Sequence, residues 1–279
     1  MNKKLYINIS IFHHDFGWHE LILKSIEQFV KITGIFDSFF IILSRTRGDH
    51  VVLFIETDKK EAKELAQEAN HYFKTYLRKW TEKDELNFPR LENRIFRDFE
   101  DNTIHFGIHN DFFGIKDEFT LRLCKDISQL VILSFKKYGS NLKENLLDMF
   151  LELYALLVQF SYKSKEEILQ IFEFLLNQEY QKYSNSTVDD LKVEYEKCFI
   201  ENQQIIASFF NIKKTESINP IKTMWKKMIN KYWSKPKSTH LKDFEILIIS
   251  ITNDSFAFSN KILGYYLFAR GLEEHMKGF

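Results

Sequence analysis

The stretch Ser38–Glu56, SFFIILSRTRGDHVVLFIE, constrains the fold of this chain more than any other. Phe39 to Arg45 is mostly β-branched or aromatic, Thr46 to Asp49 is a polar break containing one glycine, and Val51 to Ile55 is apolar again. Two such runs, separated by a few residues that include Gly, predict a β-hairpin. Almost every position in both runs is apolar, without the alternation of a sheet that faces water on one side. The strands are therefore expected in the middle of a sheet, covered on both faces. The turn between them carries Arg45, Arg47, Asp49 and His50, the densest polar cluster beside any strand of the chain.

The hairpin lies inside an α/β pattern. Leu5 to Phe12 alternates, predicting a half-buried first strand with Leu5, Ile7, Ile9 and Ile11 inward. Asp15 is a candidate cap for a helix from Trp18 to Ile32 that Gly34 closes. Thr57 or Asp58 caps a second helix reaching about Trp80, with Ala69, Phe73 and Leu77 among its inward positions. Strand, helix, strand, strand, helix is the first part of a split βαβ, ferredoxin-like unit. Arg94–Phe99 and Thr103–His109 are candidates for further strands.

After Asp117 the apolar period stays helical. It predicts helices over Glu118–Tyr138, Leu142–Phe160, Lys165–Tyr183, Val188–Phe210, Pro220–Trp233, His240–Asn253 and Phe258–Met276. Ser164 and Glu167 have the spacing of a capping box. With 9 Gly and 3 Pro in 279 residues, few breakers interrupt these helices. The expected fold class is α+β: a small N-terminal mixed sheet of split βαβ type packed with helices, then a helical bundle. The expected division is residues 1–115 for the α/β subdomain and 116–279 for the helical one.

Lys+Arg and Asp+Glu are equal at 39 each, which does not fit a chain built to grip nucleic acid or an anionic membrane. Lys222–Lys237, with Trp225, Tyr232 and Trp233 interleaved, is a local basic run, read as a solvated amphipathic helix ahead of an RNA contact. Cys124 and Cys198 match no zinc or redox spacing, and the basic N-terminus lacks a small-residue cleavage site. Free thiols in a reducing cytoplasm are the expectation. His13, His14, His19, His105 and His109 invite a metal reading. Residues 105 and 109 of a strand, however, stand roughly 13 Å apart, and no carboxylate or cysteine sits at a ligand spacing. No metal is expected. No cofactor is expected either, since there is no phosphate loop, GxGxxG or nucleophile elbow.

Phe39-Phe40-Ile41-Ile42-Leu43-Ser44, the turn, and His50-Val51-Val52-Leu53-Phe54-Ile55 together resemble the opening of the thiopeptide-type bacteriocin biosynthesis domain. That domain forms the C-terminal, glutamate-eliminating part of lantibiotic dehydratases and also occurs as a free-standing protein. The frame and the histidine match, whereas Leu43, Val52 and Phe54 stand where the family has arginines. Further on, Phe106, His109, Phe112, Phe113, Gly114 and Ile115 follow the family's aromatic and glycine frame, with His109 and Phe112 replacing its Glu and Arg. Near the end, Phe256, Phe258, Asn260 and Lys261 stand where the family has His, His, Asn and Arg, and Gly264 follows.

The resemblance implies maturation of a ribosomally synthesised peptide of bacteriocin, lantibiotic or thiopeptide type. The step is elimination of glutamate from glutamylated Ser/Thr, or cyclisation of a dehydroalanine-containing precursor. A second reading, motivated by the lost charges, is a binding or scaffold subunit that holds the precursor or a partner dehydratase. Partners are then the precursor peptide, leader and core, and a separate glutamylating dehydratase, with a homodimer as a candidate assembly; neither membrane nor nucleic acid is among them. His50 is the candidate catalytic residue, set against a turn histidine bonded to backbone. Arg45, Arg47, Asn260 and Lys261 are the candidate substrate-binding residues, set against solvated turn arginines and a structural amide.

Overall fold

The computed structural model describes residues 4–81, 98–107, 118–211, 219–232 and 241–278. They fall into two compact units, Met1–Leu142 with Ile251–Ala257, and Lys143–Ser250 with Phe258–Phe279.

In the first unit, β1 (Lys4–Phe12) leads through a 3-10 turn, Asp15–Gly17, into a helix of three pieces. These are α1 (Trp18–Glu20), a π-helical segment Leu21–Ile26, and α2 (Glu27–Thr33). Gly34 ends the helix in the left-handed region at φ 70, as its position predicts. Then come β2 (Phe39–Ser44), β3 (His50–Asp58), α3 (Ala62–Thr81), β4 (Thr103–Phe106) and α4 (Glu118–Tyr138). The strand order is β2-β3-β1-β4, the split βαβ arrangement.

The sheet is antiparallel at every strand pairing rather than mixed. β1 and β2 do run in the same direction, but β3 lies between them, because a hairpin strand pairs antiparallel with both neighbours. A parallel contact occurs as an isolated bridge between Leu43 and Phe256.

β3 is central, as its apolar run predicts, whereas β2 is an edge strand. The apolar run of β2 is explained by what covers that edge. The Ile41 amide donates to Ser128 Oγ of α4 at 2.9 Å, and Leu43 bridges Phe256. Both contacts occupy an edge that would otherwise offer itself to another strand. Lys125 and Lys136 of α4 add ion pairs to Glu56 (3.0 Å) and Glu27 (2.6 Å). β1 is less amphipathic in position than in sequence. It lies between β3 and β4, and Asn8 and Ser10 are buried along with Ile9 and Ile11.

The second unit holds α5 (Leu142–Phe160), α6 (Lys165–Tyr180), α7 (Asn185–Phe210), α8 (Pro220–Tyr232), α9 (Leu241–Ser255) and α10 (Lys261–Lys277). α5 enters it at Lys143, and α9 leaves it after Ser250. Its core is aromatic: Phe172 packs on Tyr154 (4.7 Å between centroids) and Phe268 (4.3 Å). Trp225 is buried and its Nε1 donates to Leu153 O at 2.7 Å, which makes it a core residue rather than a base-stacking one. The expected capping box forms, with Glu167 N donating to Ser164 Oγ and Ser164 N to Glu167 Oε2. α7 starts three residues ahead of the expected Val188, because Ser184 caps it by accepting from Thr187 N. Among the described residues, no helix is long and apolar enough to cross a membrane.

Candidate functional site

The polar hairpin turn is packed against the end of β1 and the segment that leads into β4, all within the first unit. His50, the first residue of β3, pairs in register with Phe12, the last of β1, and the two rings stack at 4.4 Å. His50 is 1 % exposed, and its Nδ1 lies 2.9 Å from Gly48 O. A carbonyl only accepts, so Nδ1 carries the proton in that bond and Nε2 is the acceptor of the neutral ring. Phe12 also meets Phe99 (4.8 Å) and the edge of His105 (5.4 Å).

The two turn arginines have different surroundings. Arg45 Nη2 reaches Asp15 Oδ2 at 3.3 Å, its Nε stands 4.0 Å from Asp49 Oδ1, and its guanidinium lies 6.0 Å from the Trp18 ring. Its charge is therefore compensated by two carboxylates. Asp15, expected as a helix cap, serves this pair instead, while the residue ahead of the 3-10 turn, His14, makes no side-chain cap. Arg47 has a left-handed backbone, φ 60. Its carbonyl accepts from Phe99 N at 2.8 Å and its guanidinium lies 4.4 Å over the Phe99 ring.

His13 completes this end of the sheet. It is fully buried, its Nδ1 is 2.8 Å from Asn102 Oδ1, and its N–H donates to Asp49 O at 3.1 Å. Trp18 Nε1 donates to His13 O, and Asn102 N to Phe12 O. Phe12, Phe99 and Asn102 carry no motif that singles them out. The Asp101-Asn102 pair ahead of β4 is a turn signal, but its bond to His13 crosses 89 residues.

At the positions of the family's strand arginines, Leu43, Val52 and Phe54 are buried, and Phe54 stacks on Phe40 at 4.5 Å. Asn260 and Lys261 belong to the second unit, and the turn residues to the first. Asn260 precedes α10 without a side-chain cap bond, and its carbonyl accepts from Gly264 N at 3.0 Å. Lys261 pairs with Glu179 at 3.1 Å. Burial works against the Glu179 charge, but Lys182 and Lys261 outweigh it and hold the carboxyl below its ordinary value. Phe256 and Phe258, where the family has histidines, are buried; Phe258 stacks on Phe150 at 4.6 Å. His109 and Phe112 to Ile115 lie outside the described residues. Among those described, no group of three His, Cys, Asp or Glu side chains is placed to hold a metal ion.

Neither protein-family models nor curated proteins match the sequence. Solved structures do. TbtD, the pyridine synthase from thiomuracin biosynthesis, superposes with a TM-score of 0.66 at 14% identity, covering 96% of this chain and 98% of its own. The chain shares the fold of TbtD. TsrL superposes with a TM-score of 0.62 at 10% identity, over 99% of this chain and 96% of its own. At such identities the likeness is one of fold, and it runs through both the sheet unit and the helical one. It is the fold expected from the thiopeptide-type resemblance of the hairpin.

Proposed function

We propose that this protein matures a ribosomally synthesised peptide by cyclising dehydroalanine residues in it, with the hairpin turn as a contact for the precursor. The observation that carries the reading is the end-to-end fold likeness to a pyridine synthase, 96% of one chain against 98% of the other. A fold hosts more than one chemistry, so the residues must agree with it. Eliminating glutamate calls for cations that hold a carboxylate and steady an enolate. Here Leu43, Val52 and Phe54 supply none at the family's positions, and Arg45 is already paired with Asp15. Closing an aromatic ring from two dehydroalanines forms two carbon–carbon bonds. One residue reacts as the C=C–N=C(OH) diene of its own tautomerised amide and the other as the alkene. Loss of water and of the amide on the second α-carbon then completes the ring, so the balance needs no oxidant and releases no free ion. That step needs the reacting segments held together more than it needs charge.

The test is incubation of the purified protein with a synthetic thiomuracin-type precursor, leader attached, carrying two dehydroalanines. Mass spectrometry and the ultraviolet absorbance of a new aromatic ring are the readouts, with a glutamylated-serine precursor run in parallel. A new ring supports the reading; release of glutamate from the second peptide replaces it with elimination. A second reading, a subunit that holds the precursor without turnover, is favoured by His50, which is 1 % exposed and bonded through its ring to backbone. Binding of either peptide with no product would select it.

A further inference from the structure

We infer that the outer face of α7 is a homodimer interface, on which a second copy of this chain lays its own α7 in the antiparallel sense. The buried residues of α7 are Phe199, Ile206 and Phe210, all in its C-terminal half. That side of the helix packs on α10: Phe210 meets Phe268 at 5.5 Å, and the Phe199 ring lies 5.1 Å from the Arg270 guanidinium. The outer side carries Val193 and Ile200. They are 73 % and 65 % exposed, the two most exposed large apolar side chains among the described residues. Seven residues make two turns, so both stand on one stripe of the helix. Single apolar residues scattered over a surface call for no account, whereas two β-branched ones in line form a seam.

The charges beside the seam select its occupant. Lys197 and Glu201 flank Ile200, with side chains 77 % and 61 % exposed, and pair loosely with each other at 3.9 Å. In a two-fold interface, a residue that meets a given position of the other copy is met in turn by its own counterpart. An antiparallel α7 pair with its axis level with Phe199 sets Lys197 opposite Glu201 of the second copy, and Glu201 opposite that copy's Lys197. Four charges then alternate in sign around the two Ile200 side chains, each one residue from the axis. Val193 comes level with Gln204 and Ala207 of the second copy, neither of them ionisable. A parallel pair in register would instead set Lys197 beside Lys197. Two copies also approach without long-range repulsion, because Lys+Arg and Asp+Glu are equal at 39 each. The outer face of one helix is convex. A second helix fits it ridge into groove, whereas an extended peptide calls for a groove or a sheet edge.

The test is sedimentation velocity of the whole chain from about 1 to about 200 µM, a range chosen because one helix pair buries less than the roughly 1,200–2,000 Å² of a standard interface. The mass is expected to rise with concentration from 33.5 kDa toward twice that value. Ile200→Lys sets two cations beside the axis and is expected to weaken association at least about tenfold, with the thermal midpoint unchanged. Lys197→Glu and Glu201→Lys each bring like charges together and are expected to weaken it about threefold or more. The two exchanges combined restore opposite signs across the axis, and association is expected to return to within about twofold of the unsubstituted protein. These exposed positions decide the matter even if Ile200→Lys fails to fold. A mass of 33.5 kDa at every concentration overturns the inference, and so does a dimer that a folded Ile200→Lys variant leaves intact. A double exchange no better than the single ones overturns it too. Labelled dehydroalanine precursor, added to the same samples, reads the other occupant. A protein that stays monomeric and loses peptide binding on Ile200→Lys would give the face to the peptide and overturn the dimer. The mass measurement needs no precursor, so its failure is distinct from a failure of the proposed function.

Discussion

Gly17 lies so close to the His13 ring that a Cβ built on it would overlap Nε2. The obstacle is a fully buried imidazole already bonded to Asn102, so it has little room to give. Gly17→Ala should therefore destabilise the protein by about 1–3 kcal/mol, read from urea unfolding. A loss below that range would mean the ring can swing aside. The pair Lys163–Glu245 in the second unit shows the opposite kind of constraint. Nζ and Oε2 are 3.1 Å apart, with the lysine side chain 8 % exposed and the glutamate 1 %. Removing the lysine leaves the buried Glu245 carboxylate without its cation and with the Tyr162 hydroxyl at 3.4 Å, so Lys163→Met should cost about 3–5 kcal/mol, again by urea unfolding. A double variant, Lys163→Met with Glu245→Leu, should recover much of that loss.

Among the elements, β2 shows how an apolar run can lie at a sheet edge. Its Ile41 amide points outward and is satisfied by Ser128 Oγ from α4. Ser128→Ala strands that buried donor and should cost about 1–3 kcal/mol, with faster hydrogen exchange at the Ile41 amide as the local readout. Unchanged exchange there would remove α4 from its role as an edge cover. The sequence displays the strand and its burial, but not its place in the order. Covering by a helix some 87 residues away and covering by a neighbouring strand leave the same apolar pattern. Helices were legible nearly to their ends where the signal is local, as at Ser164 and Glu167, whose mutual bonds span three residues. Phe99 and Asn102 were not legible as site residues, because what gives them a role is contact with Arg47, Phe12 and His13 across the fold. The arginine positions of the family were legible as departures, and the residues that stand there, Leu43, Val52 and Phe54, are buried.

For the molecule as a whole, the acid side of its stability is set by carboxylates that pull in opposite directions. Glu196 is held below the ordinary value of 4.5, first by the Arg270 guanidinium and next by the Tyr266 hydroxyl. Glu179 is held below it too, because its lysine partners outweigh burial. A depressed carboxyl binds its proton less readily in the folded than in the unfolded chain. Its stabilisation is present above the ordinary value and is lost as pH falls through the folded value. Glu245 is raised above 4.5, chiefly by burial, with Lys163 opposing. It binds its proton more tightly when folded, so its contribution is present below the ordinary value and is lost as pH rises through the raised one. Urea midpoints taken from about pH 7 down to about pH 3 should separate the two signs. The difference between the unsubstituted protein and Glu245→Gln should shift in favour of the unsubstituted protein as pH falls toward 4.5, then level off. The corresponding difference for Glu179→Gln should stay level down to about 4.5 and then shrink. Parallel profiles for the two variants would mean that burial does not govern Glu245, and that the Lys163 pair behaves as an ordinary exposed one.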